Sequence, residues 1–85
     1  MTWKSKLTAE AVAQLETLPS PVVGRVDGLI SRLRKWPDVS GAKRLTGNLK
    51  GNFRIRTGDY RVVFRLDRQG IVIWRIANRR DVYED

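Results

Sequence analysis

The stretch KGNFRIRTGDYRVVF, residues 50–64, decides the fold of this chain. Two runs of alternating apolar and basic residues, 53–56 and 60–66, flank the tripeptide TGD at 57–59. A glycine beside an aspartate between two alternating runs is typical of a tight turn. The sequence therefore predicts a β-hairpin here, and the other elements can be placed around it.

The predicted hairpin has an apolar face and a basic face, because strand side chains alternate with period two. On the first strand, Arg54 and Arg56 point away from Phe53 and Ile55. On the second strand an apolar row is opposed by a mainly basic one. The apolar row is Tyr60, Val62, Phe64 and Leu66, and the opposing row is Arg61, Val63 and Arg65. If the apolar rows share a face, then so do Arg54, Arg56 and Arg61.

Two helices are predicted before the hairpin. Thr8 is a suitable N-cap for a helix over residues 9–18, which are rich in good helix formers. Ser20 followed by a proline is a second N-cap, and apolar residues at three-and-four spacing then predict a longer helix. This helix should end near Trp36, because a residue that precedes proline avoids the helical region.

Two further strands complete the prediction. Residues 3–7 alternate in a way that fits a short edge strand, and residues 71–77 are apolar on both faces, as expected of a central strand. In that strand strict alternation places Ile71 and Ile73 on one face. It places Val72, Trp74 and Ile76 on the other, and we expect Trp74 to pack in the core.

The element order β-α-α-β-β-β predicts an α+β fold within a single domain, residues 1–85. An N-terminal helical hairpin packs on one face of a small, mainly antiparallel β-sheet, and the other face stays open. The arginine row must then face solvent or a partner.

The charge of the chain favours a polyanionic partner. It holds 17 basic and 9 acidic residues, a formal charge of +8. Residues 41–85 contain eleven basic and five acidic residues, so +6 of the excess lies in that half. Nucleic acid is the first candidate for a partner and an acidic protein the second.

Some classes of protein are excluded by what the sequence lacks. Without cysteine or histidine there is no disulfide framework, no Cys/His metal site and no histidine acid–base catalysis. No apolar run approaches the roughly 18 residues of a membrane span, and residues 1–6 lack a signal-peptide hydrophobic region. We therefore expect a cytoplasmic protein with no membrane partner, no metal and no cofactor.

Four motifs in a fixed order resemble one protein family. They are LTG at 45–47, FRIR at 53–56, GDYRVVF at 58–64 and NRRDVY at 78–83. The set resembles the RelE branch of the RelE/ParE toxins of bacterial and archaeal type II toxin–antitoxin systems, and the likeness covers nearly the whole chain. The resemblance implies a ribosome-dependent, metal-independent endoribonuclease that cuts mRNA in the ribosomal A site. It also implies a cognate antitoxin that blocks the site in a hetero-oligomer.

The resemblance also implies the residues of the site. The family's catalytic positions that match this sequence are Arg54, Arg56, Arg61, Arg79 and Tyr83. We further expect four basic residues to bind RNA, namely Lys43, Arg44, Lys50 and Arg80. Guanidinium groups suit the charge on a phosphorane-like transition state, because they are permanently charged and grip phosphate with two hydrogen bonds.

The sequence leaves open which residue acts as the general base. Some relatives have lysine in place of Arg54 and Arg56, and many have histidine in place of Asn78; arginine and asparagine do not act as bases. The base is Tyr83, Lys50 or no side chain at all. In the last case the arginines and the ribosome accelerate cleavage by positioning the reactants. Two other functions also stay open: a non-enzymatic ParE-like inhibitor that binds DNA gyrase, and a basic RNA-binding module without catalysis.

Overall fold

The structure, a computed structural model, describes residues 3–78. These residues form two helices on one face of a five-stranded mixed sheet, so the predicted α+β fold is confirmed. The elements in chain order are β1 (Lys4–Leu7), α1 (Ala9–Glu16), α2 (Ser20–Leu33), β2 (Lys43–Arg44), a single 3-10 turn (Gly47–Leu49), β3 (Asn52–Thr57), β4 (Tyr60–Asp67) and β5 (Gly70–Asn78).

The strands lie in the order β1-β5-β4-β3-β2. β1 runs parallel to β5, and every other neighbouring pair is antiparallel. β1 and β2 form opposite edges of the sheet, so the two helices carry the chain from one edge to the other. β4 and β5 are joined by a tight turn in which Oδ1 of Asp67 accepts hydrogen bonds from the backbone N–H groups of Gln69 (2.8 Å) and Gly70 (2.9 Å).

The helix ends differ in detail from the prediction. Thr8 caps α1 as expected, because its Oγ1 accepts a hydrogen bond from the N–H of Ala11 at 3.2 Å. α1 ends at Glu16, two residues early. The N-cap of α2 is Pro19 and not Ser20, and no side chain caps this helix. α2 ends at Leu33, but turns with hydrogen bonds between residues three apart continue the helical path to Trp36.

The core lies between α2 and the sheet. The buried stripe of α2 packs with α1 and the apolar faces of β3, β4 and β5. Trp36 closes one end of this core: its ring meets the rings of Phe53 and Phe64 edge-on, with centroid distances of 4.8 and 5.4 Å. The predicted apolar side of the hairpin is therefore the side that the helices cover.

A β-bulge in β5 changes which of its residues face the core. Val63 lies opposite Arg75, whereas the next residue of β4, Phe64, lies opposite Ile73, so Trp74 is the extra residue. After the bulge Ile76 returns to the helix side, where it lies opposite Val62 and is 2% exposed. The prediction that put Ile76 on the opposite face from Ile71 and Ile73 is wrong, because it assumed unbroken alternation.

α1 completes the edge of β5 that β1 leaves open. β1 pairs with β5 only as far as Ile73. Beyond that point the carbonyl oxygen of Ile73 accepts a hydrogen bond from the N–H of Thr8 at 2.9 Å. Oε1 of Gln14 accepts a hydrogen bond from the N–H of Ile76 at 2.6 Å. Backbone groups at this edge are thus satisfied without a further strand. Within residues 3–78 no helix is long and apolar enough to cross a membrane.

Candidate nucleic-acid interface

The face of the sheet opposite the helices is basic. The register puts Arg54 opposite Val63 and Arg56 opposite Arg61, so all three arginines share this face, as the alternation of the sequence predicts. β5 adds Arg75, which lies beside Val63. We call the surface formed by Arg54, Arg56, Arg61, Arg65 and Arg75 the basic face.

Two arginines of the basic face oppose each other directly. Arg56 and Arg61 are Cα partners in the β3–β4 ladder. Directly opposed residues have Cβ atoms about 5 Å apart, and like charges in such a pair destabilise a sheet. Arg56 is exposed, whereas Arg61 is half-buried with its Nε shielded from solvent.

Trp74 lies on the basic face and not in the core, so the expectation of core packing is wrong. Its indole Nε1 donates a hydrogen bond to Oδ1 of Asn52 at 2.8 Å. Asn52 belongs to β3 and lies opposite Arg65 of β4, so the ring reaches from β5 across β4. The bulge is the physical reason, because it leaves Trp74 as the extra residue of β5.

Sequence reasoning missed Arg75 and the pair formed by Trp74 and Asn52. Strict alternation assigns Arg75 to the same face as Ile73, where a charge would be buried, and so away from the other arginines. An arginine inside the most apolar strand was the available indication that the alternation breaks there, because unpaired charges are rarely buried.

The three predicted RNA-binding residues that the structure describes do not share one surface. Lys43 is the Cα partner of Arg54 and shares the basic face. Arg44 is the partner of Phe53 and lies on the helix side, with its guanidinium carbon 6.0 Å from the centre of that ring. Lys50 follows the 3-10 turn, where it and Arg44 line a cavity of about 400 Å³.

The predicted site residues Arg79, Arg80 and Tyr83 lie outside the described residues. β5 ends at Asn78, one residue after Ala77, which is the partner of Arg61. The charged side chains on the described part of this side of the sheet include the arginines and Lys43, with Lys6 and Asp67 as an ion pair (3.5 Å) toward β1. Within residues 3–78 no group of three or more Asp or Glu side chains is placed to hold a metal ion.

Comparisons with known proteins agree with this fold. A family model described as "ParE toxin of type II toxin-antitoxin system, parDE" matches residues 6–83. A search of curated proteins gave no match. Among solved structures, a chain of the toxin–antitoxin complex RelBE2 from Mycobacterium tuberculosis superposes with a TM-score of 0.82 at 27% identity, covering 92% of this chain and 99% of that one.

Two other solved structures have the same fold. A chain of the RelE–RelB complex from Pyrococcus horikoshii gives a TM-score of 0.73 at 26% identity, covering 96% of this chain and 100% of that one. A chain of the YoeB–YefM complex from Staphylococcus aureus gives 0.71 at 17% identity, covering 89% and 95%. The match to the family model spans nearly all of the sequence, and the chain therefore belongs to the ParE toxin family of type II toxin–antitoxin systems, within the RelE/ParE superfamily.

Proposed function

We propose that this toxin is a ribosome-dependent endoribonuclease that cleaves mRNA in the A site and so inhibits translation. The observation that carries the proposal is the direct opposition of Arg56 and Arg61 on the open face of the sheet. Two cations in directly opposed positions are suited to a polyanion that lies over both of them.

The basic face suits the charge that develops when RNA attacks its own backbone. The 2'-hydroxyl gives up its proton as its oxygen forms a bond to the adjacent phosphorus. The bond from phosphorus to the 5'-oxygen breaks, and that oxygen takes a proton. In between, negative charge grows on the phosphoryl oxygens. We assign the stabilisation of this charge to Arg54, Arg56 and Arg61, and to Arg79 outside the described residues, because guanidinium groups bind phosphate through paired hydrogen bonds.

The proton transfers belong to groups other than these arginines, because a guanidinium group does not act as a general base. Tyr83 is our first candidate, with Arg79 beside it in the sequence motif, and both lie outside the described residues. Lys50 is the second candidate, and its place in the loop before β3 is exposed. In the third possibility the toxin supplies no base, and positioning of the reactants on the ribosome accelerates cleavage.

We also propose a cognate antitoxin as the partner that controls the site. The similar structures from M. tuberculosis and P. horikoshii are toxin–antitoxin complexes. With a formal charge of +8, this toxin suits an antitoxin segment rich in carboxylates that covers the basic face. A target on the ribosome places the free toxin in the cytoplasm.

A second candidate function is inhibition of DNA gyrase by binding, without catalysis. Two observations favour it: the matching family model is that of ParE, and the basic face is formed by arginines, which do not act as general bases. In this function the arginines bind an acidic protein surface and perform no chemistry.

One induction experiment separates the two functions. The toxin is expressed briefly under tight control, and mRNA 5' ends, protein synthesis and plasmid supercoiling are followed together. Codon-phased cuts in translated messages with unchanged supercoiling are expected. Loss of supercoiling with intact messages would instead identify a gyrase inhibitor.

Two matched variants connect the result to the basic face. Arg61→Ala removes a charge from this face, and Arg68→Ala removes one from the exposed β4–β5 turn. Arg68 lies seven residues further along, about 20 Å or more away at the rise of a strand. Cleavage should fall strongly in Arg61→Ala and stay unchanged in Arg68→Ala; equal losses would mean that only net charge matters.

A further inference from the structure

We propose that the indole of Trp74 is a stacking platform for one nucleobase of the bound RNA. The inference rests on the proposed function, since it names how that site holds its substrate. It assigns base contact to a residue of β5, while the arginines around it contact phosphate.

The ring is held in place from two strands. The bulge in β5 turns Trp74 onto the basic face, and the hydrogen bond to Asn52, 22 residues earlier in the sequence, ties the far end of the indole to β3. Both anchor points lie in the central part of the sheet. A stacking partner that is already ordered loses little conformational entropy on binding.

Buried apolar side chains lie on the same side of the sheet as the ring. On the basic face of the sheet, Val63 and Val72 are each only 2% exposed, although they point away from the helices. The hydrogen bond to Asn52 carries the indole across β4 on the side of the sheet where these two valines lie. Trp74 itself is only half-buried, so part of this residue remains accessible to solvent.

The positive charges next to the indole of Trp74 favour RNA as the ligand that binds there. Asn52, which fixes the indole, lies opposite Arg65 and two residues before Arg54, and all three share the basic face. An aromatic ring between cations suits a single strand, because every base has a π-face and every linkage carries a negative charge. An acidic protein segment complements the arginines but offers no regular series of planar rings.

A ribosomal cleavage assay with missing bases tests the stack. Ribosomes are programmed with a short mRNA in which each of the three A-site nucleotides, or the nucleotide after them, is in turn replaced by an abasic ribose. Single-turnover cleavage is measured for the wild-type toxin and for Trp74→Leu, which removes the π-face. Trp74→Phe retains a π-face without the hydrogen bond to Asn52, and Arg61→Ala serves as the phosphate-contact control.

The expected result is a non-additive pair of changes. At one mRNA position, loss of the base slows the wild-type toxin by roughly 5- to 150-fold, the range that a single base–aromatic stack supplies. Trp74→Leu slows cleavage of the intact mRNA by a similar factor, and loss of that base then has no further effect. Trp74→Phe retains most of the rate, and Arg61→Ala remains sensitive to the missing base.

Other outcomes overturn the inference. If Trp74→Leu is as sensitive as the wild type to every missing base, then the ring does not stack on RNA. The same conclusion follows if Trp74→Leu cleaves the intact mRNA normally but binds the antitoxin weakly. If Trp74→Leu is slow and its melting temperature has collapsed, Trp74→Phe decides: a stable but equally slow variant would also contradict stacking. A wild-type toxin that cleaves no message at all refutes the proposed function itself, which is a different result from these.

Discussion

Arg56 and Arg61 are direct cross-strand partners on β3 and β4, although both side chains are positively charged. Because like charges in directly opposed positions destabilise a sheet, Arg56→Thr should raise the free energy of unfolding by about 0.2–1 kcal/mol at low salt. The gain should shrink in 1 M salt, where the screening length falls to about 3 Å. Urea denaturation at both salt concentrations measures it, with Arg68→Thr as the control for net charge.

Loss of the Arg56 side chain should also weaken RNA binding on the ribosome. For single strands the slope of log K against log salt changes by about 0.7 for each phosphate contact that is lost. Arg56→Ala should therefore reduce the magnitude of the salt slope by about that amount, and Arg68→Ala should leave it unchanged. An unaltered slope in Arg56→Ala would show that this side chain does not contact a phosphate. Together with the stability measurement, the result would show whether a repulsive pair is retained for binding.

The hairpin was predictable because its information is local. Alternation over residues 53–66 and the turn at 57–59 determine which side chains share a face, whatever the rest of the chain does. The helix caps and the edge strand β1 were found for the same reason. The one error at a cap, Ser20 for Pro19, is a shift of a single residue.

The β5 bulge was not predictable from local alternation. Its position depends on how β5 pairs with β4, and the sequence of β5 alone reads as a regular strand. One inserted residue was enough to misplace Ile76, Trp74 and Arg75. Bulges re-aim side chains in this way, and they are frequent beside functional sites. The candidate site was therefore only half predicted: its β3 and β4 arginines were found, and its β5 residues were not.

A pair of glycine substitutions tests the packing of β1 on β5. At Gly70, φ is +151° and an added methyl group would overlap the carbonyl oxygen of Lys4, so Gly70→Ala should cost about 2 kcal/mol or more. Gly24 lies on the exposed side of α2, where a methyl group would meet no atom within 4 Å. Gly24→Ala should therefore stabilise the protein by up to about 1 kcal/mol. Thermal unfolding of both variants checks the opposite signs.

Gln14 supports the part of β5 that carries Trp74 and Arg75. Its Oε1 accepts the hydrogen bond of the Ile76 N–H, which is not paired with β1. Gln14→Ala should cost about 1–3 kcal/mol, because it leaves a partly buried donor without its acceptor. Gln14→Glu keeps an acceptor oxygen and is the matched control. Hydrogen exchange of the Ile76 amide should accelerate in Gln14→Ala only; equal acceleration in both variants would contradict this role.

The contribution of the β4–β5 turn to stability depends on pH through the carboxyl group of Asp67. The pKa of this carboxyl lies below its usual 3.8, mainly because it accepts a hydrogen bond from the N–H of Gln69. Partial desolvation raises the pKa. The hydrogen bond from the N–H of Gly70 and the charge of Lys6, 3.5 Å away, lower it further. A lowered pKa means that the carboxylate stabilises the folded state fully above the unfolded pKa. As the pH falls below that value, the unfolded chain takes up a proton first, and the contribution is lost once the pH passes the folded pKa.

Asp67→Asn separates this contribution from the geometry of the turn, because the amide oxygen can still accept both backbone hydrogen bonds. The difference in unfolding free energy between wild type and Asp67→Asn should therefore be constant from pH 7 to pH 5 and shrink below pH 4. An NMR titration of the Asp67 carboxyl carbon gives the folded pKa directly. A value at or above 3.8 would show that the backbone hydrogen bonds do not stabilise the charged form.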